Sequence, residues 1–297
     1  MNGLLQTIED MMPTFSKGQK KIANYIFENY DKAAFMTASK LGRETGVSES
    51  TVVRFATQIG FEGYPEFQKS LKELIKRNLS SVQRVRVSEE QIGEGNVLSK
   101  VLSMDIDTVR KTEAAIDERD FNQAVDMLLN AHKIYVIGMR GSTTLSSFIY
   151  YYFNMLFDNV VQVRGDSNAD VFEQIIHIGP GDVVLGISFP RYSRKTVRAL
   201  TYAKQAGATV ISITDSEKSP LAPLADVVLY AKSEMISFVD SLVAPLSLIN
   251  ALLVVLGQKK HDTMCTTLMH LESIWDEYGI YENVGEVFDE QKLHGKK

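Results

Sequence analysis

The strongest constraint on this 297-residue chain is a change of grammar between its front and its back. Over residues 3–79 the pattern is helical throughout. Ile22, Tyr25, Ile26 and Asn29 recur at helical spacing, as do Phe67, Leu71, Leu74 and Ile75, with breaks at Pro13, near Asp31, at Gly46, at Gly60 and at Gly63 to Pro65. Small helices of this kind bury their stripes only against one another, so the front is an all-α domain. From residue 133 onward, short Val/Ile-rich runs at 133–137, 160–163, 182–187, 209–213 and 227–230 alternate with stretches of helical length or type at 142–157, 169–177, 194–205 and, briefly, 220–225. Runs apolar on both sides suit strands buried on both faces. Their alternation with helices predicts right-handed crossovers and a five-stranded parallel, doubly wound α/β sheet. A ligand of such a sheet sits beyond the strands' carboxyl ends, where the connectivity reverses.

Between the two lies a polar stretch, 79–96, with Gly93, Gly95 and no sustained apolar period, which reads as a linker. The expected domains are therefore 1–78 and 97–297. The second opens with helices at 97–116 and 121–131 and closes with long helices at about 239–256 and 261–277. Charge is divided unevenly. The chain carries 32 Lys/Arg and 37 Asp/Glu, but its first 80 residues hold 11 and 9, so a mildly basic front precedes an acidic back. That excludes a protein that coats nucleic acid by bulk charge. The single cysteine, Cys265, excludes an intrachain disulfide framework and a cysteine metal cluster. The longest apolar run, 242–256, is 15 residues broken by Pro245, Ser247 and Asn250, which is short of the roughly 20 needed for a bilayer span. With no basic-then-apolar leader in the first ten residues, a cytoplasmic location without membrane association is expected.

The most informative front segment is 37–60. A helix capped by Thr37 or Ser39 should end at Gly46, where a left-handed residue turns the chain sharply, and Ser48 should cap a second helix reaching Gly60. Leu41, Val47, Val52, Phe55, Ala56 and Ile59 are spaced to hold the two helices crossed. This leaves Ser48, Ser50, Thr51, Arg54 and Gln58 on the outer face. Short hydroxyls near a helix start and a long bidentate donor one turn on are what a major-groove reader needs, with Arg54 the main candidate. A helical hairpin that binds protein, its polar face merely solvated, has the same pattern. The run VSESTVVRFATQIGFEGYPEF, however, resembles the N-terminal domain of the RpiR family of bacterial transcription regulators, over about residues 1–78. That resemblance implies binding to double-stranded operator DNA.

In the back half, two junctions from strand to helix carry chemistry. One is Tyr135-Val-Ile-Gly-Met-Arg-Gly-Ser-Thr-Thr144 and the other Gly186-Ile-Ser-Phe-Pro-Arg-Tyr-Ser-Arg-Lys195. Glycines permit close backbone approach, and a helix start offers free amides to an anion. A serine at a helix start is by itself an ordinary N-cap. Together the junctions resemble the sugar isomerase (SIS) domain over roughly residues 120–260, with Gly138 and Ser142 matching its first loop and Ser188 and Ser193 its second; Asp215 to Ala222 and Ala225-Asp226 suit its later strands. The order of reader and then SIS domain is the RpiR arrangement. The effector-binding residues implied are Arg140, Gly141, Ser142, Ser188, Arg191 and Ser193.

Two departures from the family loops shape the functional reading. Arg140 stands where the first loop usually has its second glycine, and Pro190-Arg191 where the second usually has Ser-Gly. Two guanidinium groups at adjoining junctions favour a ligand with more negative charge than a hexose monophosphate, such as a phosphosugar acid, unless Asp166 or Asp215 pairs with them. An isomerase base, typically a Glu beside the phosphate loop, is replaced by Tyr192, and neither a Ser-His-Asp set nor metal-ligand spacing appears. The expectation is a regulator of carbohydrate metabolism controlled by a small anionic sugar derivative. It has no catalytic residues, no metal and no cofactor, and it acts as a homodimer or homotetramer, with the closing helices and Tyr150 to Phe153 as candidate interface surfaces. A phosphosugar isomerase with an accessory helical domain is the alternative.

Overall fold

The computed structural model describes residues 3–78, 80–92, 95–165 and 167–281. Five helices build the front: α1 (Gly3–Met11), α2 (Lys17–Ala33), α3 (Ala38–Thr45), α4 (Glu49–Gln58) and α5 (Tyr64–Asn78). Phe55 is the hub. Fully buried, its ring lies 5.1 Å from Phe15 and 5.8 Å from Phe67, so one α4 side chain ties the start of α2 to α5. Burying such a ring contributes roughly 1.5–3 kcal/mol. The Tyr64 hydroxyl donates to the Met36 carbonyl oxygen at 2.7 Å, and burial pushes its pKa upward.

The expected linker is not a loop. Ser81–Ile92 forms α6, opened by a reciprocal cap in which the Ser80 amide donates to Gln83 Oε1 at 3.0 Å and the Gln83 amide to Ser80 Oγ at 3.3 Å. Apolar periodicity misses this helix because its anchors are mostly polar and distant in sequence. Val87 enters the front domain's core beside Met235, Arg84 pairs with Asp240 at 2.8 Å, and Ser88 Oγ lies 2.7 Å from Ser237 Oγ.

The back half contains α7 (Val97–Glu113), α8 (Glu118–Leu129) and strands β1 (Ile134–Gly138), β2 (Val160–Val163), β3 (Val183–Ile187), β4 (Thr209–Thr214) and β5 (Val227–Tyr230). All pairings are parallel, in the order β2-β1-β3-β4-β5. The direction of winding therefore reverses between β1 and β3. Between and after the strands run α9 (Thr143–Leu156), α10 (Asn168–Gln174), α11 (Arg194–Gln205), a short 3-10 turn (Ala222–Leu224), α12 (Val243–Lys259) and α13 (His261–Tyr278). Each sheet face has its own core. Val136, Leu185 and Ile211 pack with Leu128, Ile149 and Leu252 on one side, and Tyr135, Val184 and Val210 with Val171, Ala199 and Leu200 on the other. Gly186 lets α11 sit close: a Cβ there would lie 2.6 Å from the Leu200 side chain.

Two helices keep apolar surface outside. Among its described residues α13 has none fully buried, and α7 buries Thr108 and Thr112 while Leu98, Leu102 and Ile106 stay exposed. Among the described residues no single helix is long and apolar enough to cross a membrane.

Candidate functional site

The outer face of α4 begins at a tight turn. Thr37 caps α3, accepting from the Lys40 amide at 3.2 Å, and Gly46 closes it at φ 66°. Gly42 is equally required, because a Cβ there would lie 2.8 Å from the Val47 carbonyl oxygen. Ser48 then caps α4 and accepts from the Thr51 amide at 3.3 Å. Leu41, Val52, Phe55, Ala56 and Ile59 are buried, as their spacing requires, whereas Val47 is only half-buried against the same core.

Ser48, Ser50, Arg54 and Gln58 are exposed and Thr51 is half-buried. The hydroxyls of Ser50 and Thr51 each lie 2.9 Å from Ser48 Oγ, and Arg54 Nε donates to the Ser50 carbonyl oxygen at 3.2 Å. The guanidinium is thereby laid along the start of the helix. Gln58 is engaged inside the domain: it accepts from Gln19 Nε2 at 2.6 Å and donates to Thr14 Oγ1 at 3.4 Å. Val53, 39% exposed, and Thr57 share this face but were absent from the sequence reading. An exposed valine one turn into such a helix is the available signal, since an apolar side chain can meet a thymine methyl group. The N-terminus of α2 lies alongside: a Cβ on Gly18 would sit 3.4 Å from both Thr51 and Val47. This places exposed Lys17 and Lys21 on the helix flanking α4.

The second constellation lies at the reversal point of the sheet. All six residues expected to bind an effector, Arg140, Gly141, Ser142, Ser188, Arg191 and Ser193, line one cleft of about 370 Å³ beyond the ends of β1 and β3. Gly138 cannot bear a side chain, because a Cβ would lie 2.5 Å from the Ser142 carbonyl oxygen of the loop folded over it. Arg140 takes up φ 58°, the left-handed conformation that glycine adopts at no steric cost. Its guanidinium has no hydrogen bond or ion pair among the described residues. Ser188 and Ser193 shape the second loop: the Ser193 amide donates to Ser188 Oγ at 3.0 Å and the Thr196 amide to Ser193 Oγ at 3.4 Å. Ser193 thus retains its N-cap role while lining the cleft.

An adjoining cavity of about 760 Å³ shares Arg140, Arg191 and Ser193 and adds Arg164, Tyr192, Arg194 and Lys195. Its described lining residues include five cationic side chains and no carboxylate. Arg164, which follows β2, is not marked by any sequence motif, whereas Arg194 and Lys195 belong to the cationic start of α11 that the second junction shows. Asp215 does not neutralise the arginines. Its buried carboxylate accepts from the Tyr192 hydroxyl at 2.6 Å and the Ser216 hydroxyl at 3.2 Å. Asp166 lies outside the described residues.

Comparison with known proteins matches a helix-turn-helix domain of the rpiR family over residues 2–78 and a SIS domain over residues 127–255. The chain is a member of the RpiR family. An HTH-type transcriptional regulator of Caldanaerobacter subterraneus subsp. tengcongensis is 27% identical over 99% of this chain and 100% of its own length. The regulator HexR of Pseudomonas aeruginosa is 27% identical over 75% of this chain and 76% of its own. Among solved structures, the sugar isomerase domain of an RpiR transcription factor from Sphaerobacter thermophilus shares the fold at TM-score 0.56 and 26% identity, covering 59% of this chain and 97% of that one. Vibrio vulnificus NanR, solved in complex with ManNAc-6P, covers 93% of this RpiR-family chain and 99% of its own at TM-score 0.58 and 22% identity.

Proposed function

We propose that this chain is a cytoplasmic, sequence-specific DNA-binding regulator of carbohydrate metabolism, whose SIS domain binds a small anionic sugar derivative, most simply a phosphosugar or phosphosugar acid. The observation that carries the first half is the open face of α4, with Arg54 and Ser50 exposed beside the lysines of α2. Ser48, Ser50, Thr51 and Arg54 are the proposed DNA contacts, with Gln58 bracing the helix and reaching at most a phosphate. The second half is supported by the cationic cavity beside the cleft, whose described lining residues include Arg140, Arg164, Arg191 and Arg194, because guanidinium groups gathered at one cavity favour an anion between them. The same lining argues against isomerase chemistry, since an enediol mechanism needs a base within hydrogen-bond reach of the substrate. Paired readers on a palindromic operator give the affinity that one weakly basic domain lacks. The exposed apolar surfaces of α7 and α13, and half-exposed Tyr151, offer area for a homodimer or homotetramer.

A gel shift with the DNA upstream of the chain's own gene tests the reading. Arg54→Ala should weaken binding by about 1–3 kcal/mol and relax specificity at one base. Equal affinity of the variant and the parent for that DNA would refute the assignment of α4 as reader.

A further inference from the structure

After β5 the chain does not enter α12 directly. Residues 231–242 cross from the sheet's edge toward the cleft and fold into a small antiparallel turn, bridged between Met235 and Asp240 and closed by the Ser241 amide donating to the Glu234 carbonyl oxygen at 2.9 Å. Ser241 Oγ also donates to Asp105 of α7 at 2.5 Å, which fixes the base of the turn. One side of the turn, through Phe238, Val239 and Asp240, lines the same cleft as Arg140 and Arg191. Its other side holds α6. Asp240 accepts from Arg84 at 2.8 Å, Ser237 Oγ is 2.7 Å from Ser88 Oγ, and Met235 joins Val87 in the reader's core cluster. Asp240 is thus both a wall of the cleft and the anchor of a helix packed on the DNA-binding domain.

We propose that residues 235–240 are the relay through which an anion in the cleft reaches the reader, with Asp240 as its positioning residue. This rests on the cleft being an anion site. Asp240 is the one carboxylate among the cleft's described lining residues. An anion drawn in by Arg140 and Arg191 brings like charge beside it in a partly buried setting, where water screens poorly. The pull of Asp240 on Arg84 is thereby weakened. The Arg84 side chain is only 2% exposed and that of Asp240 30%, so the arginine cannot exchange its partner for bulk water without leaving its site, and losing one member of a buried pair is costly. Among the described residues the other anchors of α6 on this turn are the Ser88–Ser237 hydroxyl contact and the packing of Val87 beside Met235, so the weakening appears as more frequent opening of that helix and a freer reader.

Hydrogen exchange on the full chain tests this, with about 50 mM inorganic phosphate compared against chloride at matched ionic strength. Phosphate should slow exchange at 139–143 and 188–195, speed exchange of the α6 amides at least about threefold, and leave β1 and β3 unchanged. Asp240→Asn should give fast α6 exchange from the outset and no response there, with the two loops still protected. Ser237→Ala, which spares the ion pair, should raise the α6 baseline and keep the response. Protected loops with α6 unmoved in the parent chain, or a parental α6 response in Asp240→Asn, would overturn the relay alone. Absence of loop protection would overturn the anion site and the relay with it.

Discussion

Arg140 is held at φ 58°, a conformation that costs an L side chain about 1–2 kcal/mol. Substituting glycine removes that cost, but glycine adds about 0.5–1 kcal/mol of unfolded-chain entropy. Arg140→Gly should therefore be between neutral and about 1.5 kcal/mol more stable than the parent. Arg140→Ala keeps the strain and gains nothing, since the guanidinium makes no hydrogen bond among the described residues. Both variants lose the charged donor, worth about 1.5–3 kcal/mol to a bound anion, or roughly 10- to 150-fold in affinity. Urea unfolding should thus rank glycine above alanine, while calorimetry with the best binder among sugar phosphates and phosphosugar acids should find both variants equally impaired. An Arg140→Gly chain less stable than Arg140→Ala would refute the strain argument. Undiminished affinity in both would remove Arg140 from the anion site.

Gly138→Ala should cost about 1–3 kcal/mol, read as a lowered Tm, because the new Cβ would meet the Ser142 backbone at 2.5 Å; displacing the loop should also impair anion binding. At Asp226, burial, the largest influence, raises the pKa, but hydrogen bonds from Lys204 and from the Val210 amide at 2.8 Å outweigh it and hold the group below its ordinary value. Its contribution to stability is therefore complete above the unfolded carboxylate pKa of about 3.9 and is lost as pH falls through the lower folded value. Urea midpoints measured downward from pH 6 should drop more steeply for the parent than for Asp226→Asn, and parallel curves would contradict this.

Legibility in the sequence followed the kind of interaction. Strands buried on both faces announce themselves as Val/Ile runs, and the α3–α4 turn follows from Gly46 and two capping hydroxyls, because all of these are local. α6 was not legible in that way. Its capping pair, Ser80 and Gln83, was present as a local signal, but Arg84 and Ser88 find partners about 150 residues later, and no periodicity encodes an ion pair. The cleft divides along the same line. Arg140 and Arg191 stood out against the family loops, whereas Arg164 joins them only because β2 pairs with β1 and ends level with it. Gln58 belonged to the outer face by helical phase, yet its amide is held by Gln19 and Thr14, residues that phase alone cannot bring near.

The exchanges in the two loops bear on the choice between sensor and catalyst. A phosphosugar isomerase must hold its substrate and also remove a proton beside a carbonyl, which needs a base whose charge is not suppressed by its surroundings. In this cleft the second loop's helix opens with Tyr192, Ser193, Arg194 and Lys195, and the nearby Asp215 carboxylate is buried and occupied by hydroxyls. The one carboxylate among the described residues of the wall, Asp240, is paired with Arg84 of another element. Among the described residues, Arg140, Arg164, Arg191, Arg194 and Lys195 serve anion capture, and Asp240 is connected to the helix packed on the front domain. On the proposed reading, occupancy of such a site is converted into a change of contacts at Asp240 and α6.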